Sequence, residues 1–110
     1  MLNAGKALYI ENPDLGYAHG NTPLYQMLGA TYLGDGNPYT TGNVQSLTGQ
    51  PCTFVAGMNY NYMFQQLPDN YVDFIGSNGG TILFRSQENY GRVICYGGTT
   101  NSYRSIYSTF

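Results

Sequence analysis

Ala7-Leu8-Tyr9-Ile10 runs directly into Glu11-Asn12-Pro13-Asp14 and then meets Gly16 and Gly20. A short apolar run rich in aromatic and β-branched residues, stopped by turn formers, predicts a buried strand over Lys6–Glu11. Its unbroken apolar character is what a parallel strand covered on both faces requires. Asn3-Ala4-Gly5 ahead of it reads as a helix end, with Gly5 as the C-terminal stop. The stretch Leu8–Gly16 therefore predicts a helix–strand–turn unit of α/β type. Enzymes built on a nucleophile elbow place Ser or Cys at such a strand-to-helix turn. Here the turn offers Asn12, Pro13 and Asp14, and no nucleophile.

The rest of the chain is divided by glycine and proline into short pieces. Thr22 suits an N-cap and Pro23 the first helical position. Leu24, Met27, Leu28 and Thr31 follow at helical spacing, predicting a helix that ends near Gly34-Asp35-Gly36. Asn37–Gly42 reads as a loop. Val44–Thr48, Cys52–Ala56, Asn59–Gln66 and Tyr71–Ile75 are short strand candidates, with Pro68-Asp69-Asn70 as a turn. Thr81–Ser86 and Arg92–Tyr96 flank Gln87–Gly91 and predict a hairpin. After a loop at Gly97–Asn101, Tyr103, Ile106, Tyr107 and Phe110 fall at i, i+3, i+4 and i+7, which predicts a helix over Ser102–Phe110. The expected fold is α/β: a partial doubly wound sheet, a set of short antiparallel strands and a C-terminal hairpin. Residues 1–110 form a single α/β module in this reading, an excised or partial domain.

Charge narrows the partners. Charged residues are 9% of the chain, against roughly 25% in average globular proteins. Polarity must come from Asn, Thr, Ser, Gly and the hydroxyls of 12 Tyr, a balance common in secreted and cell-surface proteins. Lys6, Arg85, Arg92 and Arg104 cannot build a basic patch, and the net charge is −2, so a nucleic-acid partner is not expected. No apolar run approaches a membrane span, so no membrane insertion is expected. No signal-peptide pattern follows Met1, so an extracellular setting requires a removed leader or a longer parent chain.

Candidate chemistry is sparse. Cys52 and Cys95 either form a disulfide, which would stabilise by roughly 3–4 kcal/mol in an oxidising compartment, or remain two buried thiols. His19, the single histidine, excludes a multi-histidine metal site and reads as a surface-loop residue. Asp69, Asn70 and Asp73 offer oxygen ligands at a turn, as Glu11 and Asp14 do at the first turn; either set is a weak calcium candidate, and neither has EF-hand spacing. The favoured reading is that Asp69 and Asn70 make the turn and Asp14 stabilises the helix-side loop. No other cofactor is expected. The glycines make no phosphate-binding loop. Asn59-Tyr60-Asn61-Tyr62, Asn89-Tyr90 and Asn101-Ser102-Tyr103 combine rings and amides suited to carbohydrate. Without Trp, an interface or core role for these tyrosines is favoured.

Three segments carry a resemblance: GKALYIENPDLG (Gly5–Gly16), TPLYQMLGATYLGDG (Thr22–Gly36), and GGTILFRSQENYGRVICYGG (Gly79–Gly98) with SYRSIYSTF (Ser102–Phe110). Together they resemble the second half of the class I glutamine amidotransferase-like domain, a flavodoxin-like α/β fold, found in secreted bacterial and archaeal proteins beside peptidase domains. Catalytic members of that class carry Cys at the elbow and His with Glu near the end. The matching elbow positions are Asn12, Pro13 and Asp14, and the segment after Tyr96 holds no His or carboxylate. The resemblance thus implies a domain without its catalytic residues.

The expected function is a non-catalytic extracellular association or support module, acting on a protein partner or on itself. A self-assembling filament or surface-layer subunit is one alternative, and a hydrolase fragment completed by further sequence is another. The expected association edge is Ala7, Leu8, Tyr9 and Ile10, an apolar strand with charges only at its ends and no Pro to block pairing.

Overall fold

The side chains of β1 (Ala7–Glu11) alternate. Leu8 and Ile10 pack against the core, whereas Ala7, Tyr9 and Glu11 are exposed. The predicted strand forms, but it is covered on one face and not on two. The computed structural model describes residues 4–37, 44–62, 71–97 and 103–110. The turn after β1 leads into α1 (Leu15–His19) and α2 (Pro23–Gln26), followed by β2 (Ala30–Gly34), β3 (Ser46–Gly49), β4 (Asn59–Asn61), β5 (Phe74–Ser77), β6 (Thr81–Ser86), β7 (Gly91–Tyr96) and β8 (Arg104–Ser108).

These strands make one curled sheet in the order β1-β8-β7-β6-β3-β4, with β5 joined to β7 and β2 to β5. β1 and β8 run parallel, Tyr9 opposite Ile106. The other pairings are antiparallel. Among the described residues strand accounts for 43% and helix for 11%, which makes the fold a mostly β half-barrel. The expected α/β doubly wound sheet is therefore corrected, along with the fold that the amidotransferase-like resemblance implied.

Two predicted helices are the source of the difference. Thr22 does cap α2, its Oγ1 accepting from the Tyr25 N–H at 3.3 Å, and Pro23 occupies the first turn. The helix stops after one turn because Gly29 takes φ +67° and Ala30–Gly34 pairs with β5. Gly29 is also pressed against Tyr96, where a Cβ would lie 2.6 Å from the ring. The second predicted helix, Ser102–Phe110, is replaced by β8. Tyr107 faces the core beneath the helices, while Ile106 and Phe110 face the opposite side. A strand buried on both faces loses the period-2 signal, so Tyr103, Ile106, Tyr107 and Phe110 imitated a helical stripe.

Smaller corrections follow. Cys52–Ala56 is a series of turns, with Cys52 at φ 64°. The strands expected at Val44–Thr48 and Tyr71–Ile75 begin two and three residues later, as β3 and β5. The Thr81–Tyr96 hairpin forms as predicted, with Asn89 in the left-handed turn position (φ 68°). Asn3, the Asn37–Gly42 loop from residue 38, Asn59–Gln66 from residue 63, the Pro68–Asn70 turn, and residues 98–102 lie outside the described residues.

The sheet has two apolar faces. On one, Tyr25, Leu28, Ala30, Ile75, Ile94 and Tyr107 form a core beneath α1 and α2. On the other, Val55, Leu83 and Val93 form a smaller cluster with Ile106 and Phe110. Val44, Leu47 and Val72 continue the packing beyond Phe84 and Phe110.

Candidate functional site: an apolar groove and a carboxylate cluster

The smaller apolar face remains partly open. A β-bulge shapes it: Ile82 pairs with Ile94 but Phe84 pairs with Val93, leaving Leu83 as the extra residue. A bulge of this kind re-aims side chains. Leu83 and Phe84 both line the groove, while Ile82 packs against the helix-side core. The groove has a volume of about 370 Å³ and is bounded by Tyr9 of β1, Phe54 of the β3–β4 turn and Tyr60 of β4. It continues past Tyr9 and Phe54 into a wider trough of about 760 Å³ reaching Gly97 and Arg104.

Local chemistry explains why Phe54 stands out. Thr53 Oγ1 donates to the Gln50 carbonyl at 2.7 Å and accepts from the Val55 N–H at 3.3 Å. The Ala56 and Met58 N–H groups donate back to Thr53 and Val55. This turn buries Val55 and leaves Phe54 73% exposed. Tyr9 is 61% and Tyr60 52% exposed. Tyr60 is held over Phe84 at 5.7 Å between ring centroids. The Tyr9 hydroxyl donates to Glu11 Oε2 at 2.6 Å, which raises its pKa above the ordinary phenol value, and partial burial adds to this. Exposed apolar groups gathered in one concavity are a mark of an interaction site.

On the helix side, Asp73 immediately precedes β5 and is fully buried. Its Oδ2 accepts from the Gly16 N–H at 2.7 Å and the Tyr17 N–H at 3.0 Å, so it caps the first turn of α1. Asp14, the N-cap by position, makes no side-chain cap bond. One ligand oxygen each from Asp14, Asp35 and Asp73 lie within 4.8 Å of one another. Burial pushes the Asp73 carboxyl up to about 6, with Asp35 and Asp14 adding to the rise and the two N–H groups opposing it. Burial and Asp14 also raise Asp35. Next to this cluster lies Arg92, fully buried, whose Nη1 donates to the Val72 and Asp73 carbonyls at 2.8 and 3.0 Å. Its Nη2 pairs with Glu88 Oε2 at 2.8 Å.

Among the residues singled out in the sequence, Ala7–Ile10 lie on β1 at one end of the strand order, and Tyr9 faces the groove. Of the calcium candidates, Asp73 gains Asp14 and Asp35 as neighbours, while Asp69 and Asn70 lie outside the described residues. Glu11 instead accepts from Tyr9. Cys52 is exposed and Cys95 half-buried, and each is a free thiol; burial raises the Cys95 pKa. His19, expected in a loop, ends α1 and is exposed. Of the Tyr–Asn clusters, Tyr60 and Tyr62 border the groove, Tyr90 stacks on Phe74 at 4.5 Å, and Tyr103 is buried edge-on to Tyr96.

The sequence reading missed the Phe54 turn, the Leu83 bulge and the Asp14–Asp35–Asp73 convergence. Only the acidic residue types were a signal for the last. Comparisons with protein-family models, curated proteins and solved structures find no match to this chain. Among the described residues no helix is long and apolar enough to cross a membrane.

Proposed function

We propose that this chain is a non-catalytic extracellular association module whose groove seats an extended, aromatic-rich segment of a protein partner. The observation that carries this reading is the convergence of Tyr9, Phe54 and Tyr60, each more than half exposed, on one apolar groove beside the terminal strand β1. Strand addition at such an edge supplies backbone hydrogen bonds, and alternate side chains of the added strand enter the adjoining pockets. Tyrosine and phenylalanine suit this task because they give large contact area at low entropic cost. The low charge of the chain supports an extracellular setting.

A displayed peptide library selected on the chain, with Phe54→Asp as the counter-selecting surface, tests the proposal. Phe54 is so exposed that its replacement leaves the fold intact, which circular dichroism checks. Enrichment of peptides alternating aromatic or aliphatic residues, bound at least tenfold more weakly by Phe54→Asp, is the expected result. Peptides that bind both proteins equally would overturn it. Concentration-dependent sedimentation, lost in Tyr9→Lys, would instead identify a second copy of the chain as the partner.

A further inference from the structure

We propose that Asp14, Asp35 and Asp73 form a calcium site that ties together the start of α1, the end of β2 and the start of β5. The three carboxylates come from three separate segments, yet their ligand oxygens lie within 4.8 Å of one another. Calcium binds oxygen at about 2.3–2.6 Å, so two ligands on one ion lie at most about 4.6–5.2 Å apart. The same limit for magnesium is roughly 4.0–4.2 Å and its octahedral demand is stricter. Calcium spans separations up to that bound of 4.8 Å, which magnesium does not.

A second observation comes from the hydrogen bonds of the buried carboxylate. The Asp73 side chain is 0% exposed, and although its Oδ2 accepts from two N–H groups of α1, its Oδ1 has no hydrogen-bond partner among the described residues. Buried oxygens lacking partners are costly. A proton on Asp73 would relieve that residue alone and would leave Asp14 and Asp35 drawn together without cause. A divalent cation answers both features. Asp14 and Asp35 are exposed, which leaves water free to complete the coordination and the ion free to enter.

The position of Asp73 is fixed before any ion arrives. Its N–H donates to the Pro13 carbonyl at 2.9 Å, its Oδ2 is held by α1, and its carbonyl is held by Arg92. Preorganisation of this kind lowers the entropic cost of binding. The site lies on the helix side of the sheet and does not depend on the groove.

The test uses the whole chain after treatment with a chelator. Calorimetric titration with calcium chloride should show saturable binding, on the order of the 10⁻⁴–10⁻³ M range of extracellular modules. The unfolding midpoint should rise by roughly 5–10 °C at saturation. Asp35→Asn, at an exposed position that does not threaten folding, should weaken binding at least tenfold and leave the chelated midpoint unchanged or higher. Asp73→Asn, which retains an oxygen for the Gly16 and Tyr17 N–H groups, should abolish the calcium-dependent rise. A folded chain with no saturable heat up to about 10 mM calcium, well above that affinity range, would overturn the proposal. So would Asp35→Asn binding like the parent, or magnesium binding as tightly as calcium.

Discussion

Replacing Glu88 with Gln should destabilise the protein more than its partly surface position suggests, because it removes the charge opposite Arg92. The Arg92 side chain is 0% and the Glu88 side chain 16% exposed, and the pair is separated by 2.8 Å. Burial lowers the Arg92 pKa, and the hydrogen bond and charge of Glu88 oppose that shift. The guanidinium stays ionised at neutral pH. Gln keeps an oxygen to accept from Nη2, so the lost quantity is the difference between a charge-assisted and a neutral hydrogen bond, about 1–2 kcal/mol.

Arg92→Met is more severe. It strips donors from the Val72 and Asp73 carbonyls and from Ser86 Oγ. Breaking a buried pair from one side costs about 3–5 kcal/mol. Against a total stability of roughly 5–15 kcal/mol for a domain of this size, that approaches unfolding. Urea denaturation of the parent, both single variants and the double variant completes a cycle. The double variant should cost less than the sum of the singles by about 1–2 kcal/mol, since Glu88→Gln has nothing left to weaken once Arg92 is gone. Raising salt should leave the Glu88→Gln deficit largely in place, because a buried pair is poorly screened. A Glu88→Gln variant within about 0.3 kcal/mol of the parent, or a deficit that vanishes at high salt, would refute the buried-pair reasoning.

Gly16→Ala should cost roughly 1–3 kcal/mol by overpacking, despite the higher helix propensity of Ala, because the new methyl would meet Tyr32 Cδ2 at 2.5 Å and Asp73 Oδ2 at 2.8 Å; an unchanged urea midpoint would show that this corner yields. Both thiols should accept an alkylating reagent without prior reduction, Cys52 rapidly and Cys95 at least tenfold more slowly, since Cys52 is exposed and burial raises the Cys95 pKa; mass spectrometry that finds a bridged species would contradict the free-thiol state.

What the sequence disclosed was local. The β6–β7 hairpin was legible because two β-rich runs flank a short polar loop, and the start of α2 because Thr22 and Pro23 act on their own turn. The extent of α2 was not legible. Its end is set by Gly29 against Tyr96 and by pairing of β2 with β5, contacts far away in the chain. β8 was misread because it lies between β1 and β7 with apolar groups on both sides, so alternation was hidden. At the candidate sites, Tyr9 could be found by its run, but the groove needs the Leu83 bulge, and one inserted residue leaves no compositional trace. Asp73 could be named as an oxygen donor. That it caps α1, and meets Asp14 and Asp35, follows from topology alone.

β7 shows how the two candidate sites share one scaffold. Val93 and Cys95 pack on the groove side, whereas Ile94 packs under the helices. Arg92 Nη1 donates to the carbonyls of Val72 and Asp73. Because the Asp73 carboxylate is one side chain away from the carbonyl that Arg92 holds, Arg92 positions the carboxylate cluster. A conservative change at Val93 acts on the groove floor and leaves those bonds intact. Val93 and Cys95 thus face the groove while Ile94 faces the helices, so a single strand, paired to both β6 and β8, carries side chains toward both candidate sites.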